Sequence, residues 1–269
     1  MHVRDISHKR KETFADLHLH TAYSDGMFSP EEIVETACRF GLGAVAITDH
    51  DCVEGIDPAI EAAKKTGLEI IPGVEISTAV EDKEIHLLGY FMDWRQPALV
   101  EELDRMKKHR VVRIMKMVRL LRREGVNISE DDVLGTVSMG TVGRLHLARV
   151  MVAAGAVKTT GEAFIRYIAD GKPCFVKHGH LDYTRAVDMV KRAGGVPVLG
   201  HPGVSAIDEY IPEIVSAGVR GIEVFHPDHS LSDSDKYLRL AAEYSLIVTG
   251  GSDCHGTGRG KIKMGRIRV

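Results

Sequence analysis

The stretch Phe14-Ala-Asp-Leu-His-Leu-His20 decides the fold, because an apolar run closes on a His-x-His pair. Successive side chains of a strand point to opposite faces, so His18 and His20 share a face and present two ring nitrogens to one place. Further along the chain, Gly43-Ala-Val-Ala-Ile-Thr-Asp-His50 ends in His50, and Glu69-Ile-Ile-Pro-Gly-Val-Glu75 ends in Glu75. Gly195-Val-Pro-Val-Leu-Gly-His201 ends in His201, and Leu246-Ile-Val-Thr-Gly-Gly-Ser-Asp-Cys-His255 ends in an Asp-x-His pair. One such strand end means little. Repeated over the whole chain, the pattern predicts a metal site at one rim of an α/β barrel, where parallel strands gather functional side chains at their C-terminal ends.

The segments between these runs are amphipathic. Ser29-Pro-Glu-Glu-Ile-Val-Glu-Thr-Ala-Cys-Arg-Phe-Gly41 carries a complete helix signal: Ser29 as N-cap, Pro30 in the first position, Glu31 and Glu32 at the positive end of the dipole, and Gly41 as the stop. A second helix is predicted from Asp57 to Lys65, ended by Gly67. The β-α-β-α-β order argues for parallel strands with right-handed crossovers. From about Trp94 to Gly171 no strand pattern appears, and helices are predicted over Arg105–Glu124, Gly143–Ala154 and Glu162–Ala169. Strand–helix alternation resumes from Thr184 to Thr249. The expected organisation is a barrel from residues 1–93 and 172–269, an all-helical insertion or lid over 94–171, and a flexible N-terminus over 1–12.

Composition narrows the class. The chain has 269 residues, 44% hydrophobic and 27% charged, enough for one large α/β domain and unlike a disordered chain. A net charge of -3 gives no global attraction to nucleic acid or anionic membrane. No run reaches the roughly 18 apolar residues of a membrane span, and the N-terminus lacks a signal core. Cys38, Cys52, Cys174 and Cys254 are scattered without Cys-x-x-Cys spacing, which reads as reduced thiols of a cytoplasmic protein. Nothing in the sequence fixes the oligomeric state.

The candidate ligands are His18, His20, Asp25, His50, Glu75, His86, His201, Asp253 and His255. Each alone has a bland explanation. His86 suits a hydrogen-bonded core histidine, and Asp25, in Ser24-Asp-Gly26, suits a turn. A single metal centre accounts for all of them together. Imidazole with carboxylate suits Zn, Mn or Fe, and the set is too large for one ion. Two or three divalent ions are expected, with Glu75 as a bridge.

The ordered set Asp16-Leu-His-Leu-His-Thr21, Ser24-Asp-Gly26, Ile47-Thr-Asp-His50, Pro72-Gly-Val-Glu75, His86, Gly200-His-Pro202 and Gly251-Ser-Asp-Cys-His255 resembles the polymerase and histidinol phosphatase (PHP) family over nearly the whole chain. The resemblance implies a distorted seven-stranded, TIM-like barrel and a two- or three-metal phosphoesterase site. Carried over, His18, His20, Glu75 and Asp253 would hold one ion, Glu75, His86 and His201 a second, and Asp25, His50 and His255 a third. No ligand of the pattern is missing. Within the family, Gly143-Arg-Leu-His-Leu-Ala-Arg149, Gly171-Lys-Pro-Cys-Phe-Val176, Leu199-Gly-His-Pro-Gly203 and Glu223-Val-Phe-His-Pro227 look most like the branch of 3′,5′-nucleoside bisphosphate phosphatases and 5′-to-3′ exoribonucleases.

A phosphate ester is anionic, so cationic side chains should join the metals around it. Arg144, Lys177, His178, His226 and His229 are the candidates for substrate binding, with Arg144 preferred. The expected reaction is hydrolysis of a small nucleotide's phosphomonoester by metal-activated hydroxide, with Glu75, Asp253, Arg144, His201 and His226 as the catalytic set. The leaving oxygen would take its proton from water, His201 or His226. Three alternatives stand beside it: a histidinol-phosphate phosphatase, an exoribonuclease on short RNA, and a non-catalytic, metal-stabilised accessory module. The basic stretch from Arg105 to Arg123 reads as an amphipathic helix with a solvated face rather than a polynucleotide track, and its Met residues as packing. Cys52 and Cys254 read as small apolar packers beside the site.

Overall fold

A computed structural model describes residues 13–81, 83–137, 140–177, 181–258, 261–267 and 269. The expected flexible segment 1–12 and the candidate His178 lie outside the described residues. The chain runs β1 (Phe14–Leu19), α1 (Pro30–Arg39), β2 (Leu42–Ile47), α2 (Ile56–Ala63), β3 (Glu69–Val80) and β4 (Lys83–Tyr90). A helical stretch follows: α3 (Pro97–Arg123), α4 (Glu130–Leu134), α5 (Arg144–Ala153), α6 (Thr160–Ala163) and one π-helical turn over Phe164–Ile168. The chain then continues through β5 (Leu181–Asp182), α7 (Tyr183–Arg192), β6 (Val196–Leu199), α8 (Pro202–Ser205), α9 (Ile211–Ser216), β7 (Gly221–Phe225), α10 (Leu231–Glu243) and β8 (Ile247–Gly250).

The main sheet holds eight strands rather than the expected seven. Seven follow the order β1-β2-β3-β4-β6-β7-β8, and β5 pairs in parallel with β3. Nor is the sheet wholly parallel. β3 turns directly into β4, so β4 runs antiparallel to both β3 and β6. Strands joined by a tight turn can only pair this way, since a parallel return needs a long crossover. The two ends of the sheet approach each other. The His20 N–H donates to the Cys254 carbonyl beyond β8, and Ala15 and Val269 exchange two backbone bonds.

The helix signals behave as the sequence dictates. Ser29 and Glu32 form a reciprocal capping box, Pro30 opens α1, and Gly41 follows it at φ 71°. The long helix begins earlier than expected, at Pro97, because the Gln96 side chain caps the Leu99 N–H.

One apolar cluster lies between the strands and the flanking helices, including Val45, Ile47, Val74, Leu87, Leu199 and Ile222. Ala46, Ile71, Leu88, Tyr90 and Val198 form a smaller cluster on the other face of the sheet. Glu75 and His86 alternate in step with Ile71 and with Leu88 and Tyr90, so that same face turns from apolar to polar along the strands. A third cluster belongs to the helical stretch, built on Ile114, Met117, Leu121, Val133, Leu147 and Met151. α3 runs through two of these clusters: Leu99, Leu103 and Met106 pack on the first, and Ile114 onward on the third. No helix among the described residues is long and apolar enough to cross a membrane.

Candidate functional site

The site is built beyond the ends of β2, β6 and β8 and at the end of β1, with Glu75 midway along β3 and His86 near the start of β4. Asp16 ties the start of the site together by accepting the backbone N–H groups of Ser252 and Gly265. Beyond β1, Asp49 accepts the Thr21 N–H and hydroxyl at 2.7 Å each and the Ser24 hydroxyl at 2.5 Å. That clamp shapes the loop carrying Asp25. Gly26 permits the loop's closeness, since a Cβ there would stand 2.2 Å from the His20 carbonyl oxygen. His201 and Asp253 have positive φ, 22° and 46°. Backbone strain of this kind costs of the order of 1–3 kcal/mol per residue and gathers at functional sites.

Glu75 stands at the centre and is 1% exposed. Its Oε2 lies 2.9 Å from His50 Nδ1, 3.2 Å from His20 Nε2 and 3.4 Å from His18 Nε2. Its Oε1 lies 2.6 Å from His86 Nδ1 and 2.9 Å from His201 Nε2. Asp253 Oδ1 reaches His20 Nε2 at 3.1 Å and His18 Nε2 at 3.5 Å, and Asp25 Oδ1 reaches His255 Nε2 at 3.1 Å. Every one of the nine candidate ligands therefore falls in one continuous cluster.

Four groups within it are tight enough to hold an ion, with ligand atoms within 4.8 Å of one another: His20, Asp25, His50 and His255; His18, His20 and Asp253; His18, Glu75 and His201; and His50, Glu75 and His86. The donor set fits divalent cations for a further reason. His18 Nε2, His20 Nε2, His50 Nδ1, Asp25 Oδ1 and Glu75 Oε2 are buried without hydrogen-bond partners. Each buried unpaired group costs about 1–3 kcal/mol, and a cation among them would satisfy several at once.

Charge is strongly coupled here. Burial opposes ionisation of Glu75, but the imidazoles of His50, His86 and His18 hold its carboxyl well below the usual range. Asp253 is held down against its burial by His255 and His18, and Asp25 by His255 and His50. Burial opposes protonation of His86 and His255 too, yet Glu75 raises the first and Asp25 and Asp253 the second, each to about 10. Burial alone wins at His50, whose value falls.

Behind the ligands sits Glu223, fully buried. It accepts from His18 Nδ1 at 3.0 Å and from the His201 N–H at 2.9 Å. The first bond fixes the tautomer of His18 and leaves Nε2 facing the cluster.

A cavity of about 710 Å³ opens over the cluster, lined by Asp25, His50, Glu75, His86, His201, Asp253 and His255 and by Arg110, Arg113, Arg144 and Lys263. Phe164, Ile165 and Val204 add an apolar side. Arg144 opens α5 and bonds Asp170 at 2.8 Å, with Glu84 at 3.4 Å. His226 packs near His201, its Nε2 3.4 Å from Asp253 Oδ2, but it is buried and is not among the residues lining the cavity. His229 does not line this cavity: its Nδ1 meets the Val224 carbonyl, and its Nε2 accepts the Gly203 N–H. Lys177 is exposed and is also absent from the lining.

Sequence reasoning passed over Arg110, Arg113, Lys263, Glu84, Asp49 and Glu223. Arg110 and Arg113 were hidden inside a stretch read as a solvated basic face, yet each is 6% exposed. A usable signal was their spacing, because Met106, Arg110, Arg113 and Met117 fall on the buried side of α3.

The model of the PHP domain matches residues 16–186 of this chain. A 3′,5′-nucleoside bisphosphate phosphatase from Chromobacterium violaceum is 34% identical over 91% of this chain and 88% of its own length. A 5′-3′ exoribonuclease from Haemophilus influenzae is 34% identical over 89% of each chain. A crystal structure from Bifidobacterium adolescentis, described by inference as that of a metal-dependent phosphoesterase, superposes with a TM-score of 0.87 at 33% identity, covering 95% of this chain and 92% of the other.

Proposed function

Because the chain belongs to the PHP family of metal-dependent phosphoesterases, we propose that it hydrolyses a phosphomonoester of a small nucleotide, of the 3′,5′-nucleoside bisphosphate kind. The observation that carries this reading is the meeting of a nine-residue His, Asp and Glu cluster with Arg110, Arg113, Arg144 and Lys263 around one cavity. Phosphoryl groups are held by cations, and the cavity brings cationic side chains to a cluster suited to divalent ions.

His18, His20, Asp25, His50, Glu75, His86, His201, Asp253 and His255 would hold two or three ions of Mn, Fe or Zn. Such ions, when bound, polarise the phosphoryl oxygens and make water a nucleophile at neutral pH. The remaining chemistry falls to the chain. Arg144 donates to a substrate phosphate, exchanging its contact with the exposed Asp170. His226 would orient Asp253, its Nδ1 accepting the Asp228 N–H and its Nε2 lying 3.4 Å from Asp253 Oδ2, and the leaving oxygen would take its proton from water. Residues 94–171 would close one side of the cavity, with Phe164 and Ile165 at its wall. The free thiols Cys38, Cys52, Cys174 and Cys254 suit a cytoplasmic enzyme.

Cleavage of short RNA is a second reading, favoured by the likeness to the Haemophilus protein. Against it, Arg119 and Arg122 are exposed and face Glu130 rather than the cavity. Mn-loaded protein should be offered nucleotides, sugar phosphates, histidinol phosphate and short 5′-phosphorylated RNA. We expect kcat/KM for a nucleoside bisphosphate to exceed that for RNA. Replacing Arg119, Arg122 and Arg123 with Gln should change nucleotide turnover less than about twofold. RNA as the better substrate, with cleavage crippled by the triple replacement and a flattened salt dependence, would overturn the reading.

A further inference from the structure

His201 is a candidate ligand whose ring no second side chain aims. Its Nε2 lies 2.9 Å from Glu75 Oε1, while its Nδ1 is buried with no hydrogen-bond partner among the described residues. His18 differs, because Glu223 accepts from its Nδ1 and fixes that ring directly. Aiming the His201 ring therefore falls to its main chain. That main chain is strained, with φ at 22°, so something has to hold it. Glu223 takes the His201 N–H at 2.9 Å, and the Val204 N–H donates back to the His201 carbonyl at 3.0 Å.

A further hold comes from His229, which lies outside the cavity lining. Its Nε2 accepts the Gly203 N–H at 3.2 Å, two residues after His201. Its Nδ1 lies 2.9 Å from the Val224 carbonyl, which can only accept, so Nδ1 carries the proton and Nε2 is left as the acceptor. Burial lowers the ring's value from an ordinary 6.5, which suits this neutral tautomer at neutral pH. The fit is close, since a Cβ on Gly203 would stand 2.8 Å from His229 Cδ2. Behind the ring, the fully buried Tyr237 packs at 5.1 Å between centres, and its hydroxyl donates to Asp208 at 2.8 Å. Glu223 and Val224 are neighbours on β7. One strand therefore pins the 201–203 turn at both ends, directly at His201 and through His229 at Gly203.

We propose that His229 is a positioning residue for His201: by accepting the Gly203 N–H, it sets the turn that carries the His201 ring to Glu75. This rests on the cluster being a metal centre and is independent of the substrate. The ion affected is the one that His201 would share with His18 and Glu75. His20, Asp25, His50 and His255 form a group without His201 and should keep their ion.

The test sets His229→Gln and His229→Asn beside wild type. A Gln amide reaches as far as Nε2 and can still accept the Gly203 N–H. An Asn amide reaches only as far as Nδ1 and keeps the Val224 contact alone. Metal-loaded proteins are titrated with a chromophoric chelator, and the ions released per chain are counted. His229→Asn should bind one ion at least about tenfold more weakly, in the range usual for an outer partner of a ligand histidine. Its other ions should be unchanged, and His229→Gln should stay close to wild type. Wild-type affinity in His229→Asn, an equal loss in both variants, or an even loss over all ions overturns the proposal. If wild type itself takes up no ion, the metal-centre reading fails, and the positioning is read by NMR of isotope-labelled, metal-free protein. The His201 ring and Gly203 amide signals should then move in His229→Asn and stay in place in His229→Gln. Unmoved signals in His229→Asn would end the proposal.

Discussion

Replacing Glu223 with Gln should weaken metal binding without touching a ligand. The carboxylate now serves His18 Nδ1 at 3.0 Å and the His201 N–H at 2.9 Å from two oxygens. An amide has a single oxygen, so one donor keeps its acceptor and the other meets an NH₂ group. Losing one buried hydrogen bond to a charged acceptor costs about 1.5–3 kcal/mol, which corresponds to roughly 10- to 100-fold in affinity. That range matches the usual effect of removing an outer partner of a metal-bound histidine. Glu223→Ala orphans both donors and should fall further. A competition titration against a chromophoric chelator reads the affinity, and a thermal melt of metal-free protein checks the fold. Wild-type affinity in Glu223→Gln, or an equal melting loss with no affinity change, would refute the view that this carboxylate aims His18 and His201.

Two other outcomes follow from charge. Arg110→Ala should destabilise the protein by about 3–5 kcal/mol, because it strands the fully buried Asp51, and chemical denaturation reads this directly. A loss below about 1 kcal/mol would mean that water or another cation reaches Asp51. The metal-free protein should lose stability as pH rises toward 10. His86 and His255 are raised from an ordinary 6.5 to about 10, so their contribution is complete below about 6.5 and disappears as pH climbs through about 10. Metal loading displaces those protons, so the melting temperature of loaded protein should be flatter over the same window; parallel curves would contradict the protonation of the empty cluster.

Much of the site was legible because ligand chemistry needs particular side chains, and strand ends announce themselves as apolar runs that stop. His18, His20, His50, His201, Asp253 and His255 stood at such stops, whereas the run read as ending at Glu75 continues as β3 to Val80. What periodicity could not give was direction. The run ending at Gly89 reads alike whether parallel or antiparallel, and only the short link between Val80 and Lys83 forces the hairpin. β5, two residues long, is too short to carry a pattern. Arg110 and Arg113 were obscured because hydropathy treats arginine as surface, whereas burial here rests on Asp51, Ser77 and the Val176 carbonyl. Glu223 stood in the stretch Glu223-Val-Phe-His-Pro227, but nothing there pointed to its partners, which are separated from it by 205 and 22 residues.

The positive φ values at His201 and Asp253 bear on how such a centre can decay. Glycine adopts that backbone without strain, whereas the ligand side chain holds it at a cost. At these two positions the substitution that most relieves the main chain also deletes a donor. A sequence chosen for folding alone would place glycine there and leave the site without these donors. Histidine and aspartate at these two positions therefore exchange backbone ease for a ligand atom, which marks them as serving chemistry rather than architecture.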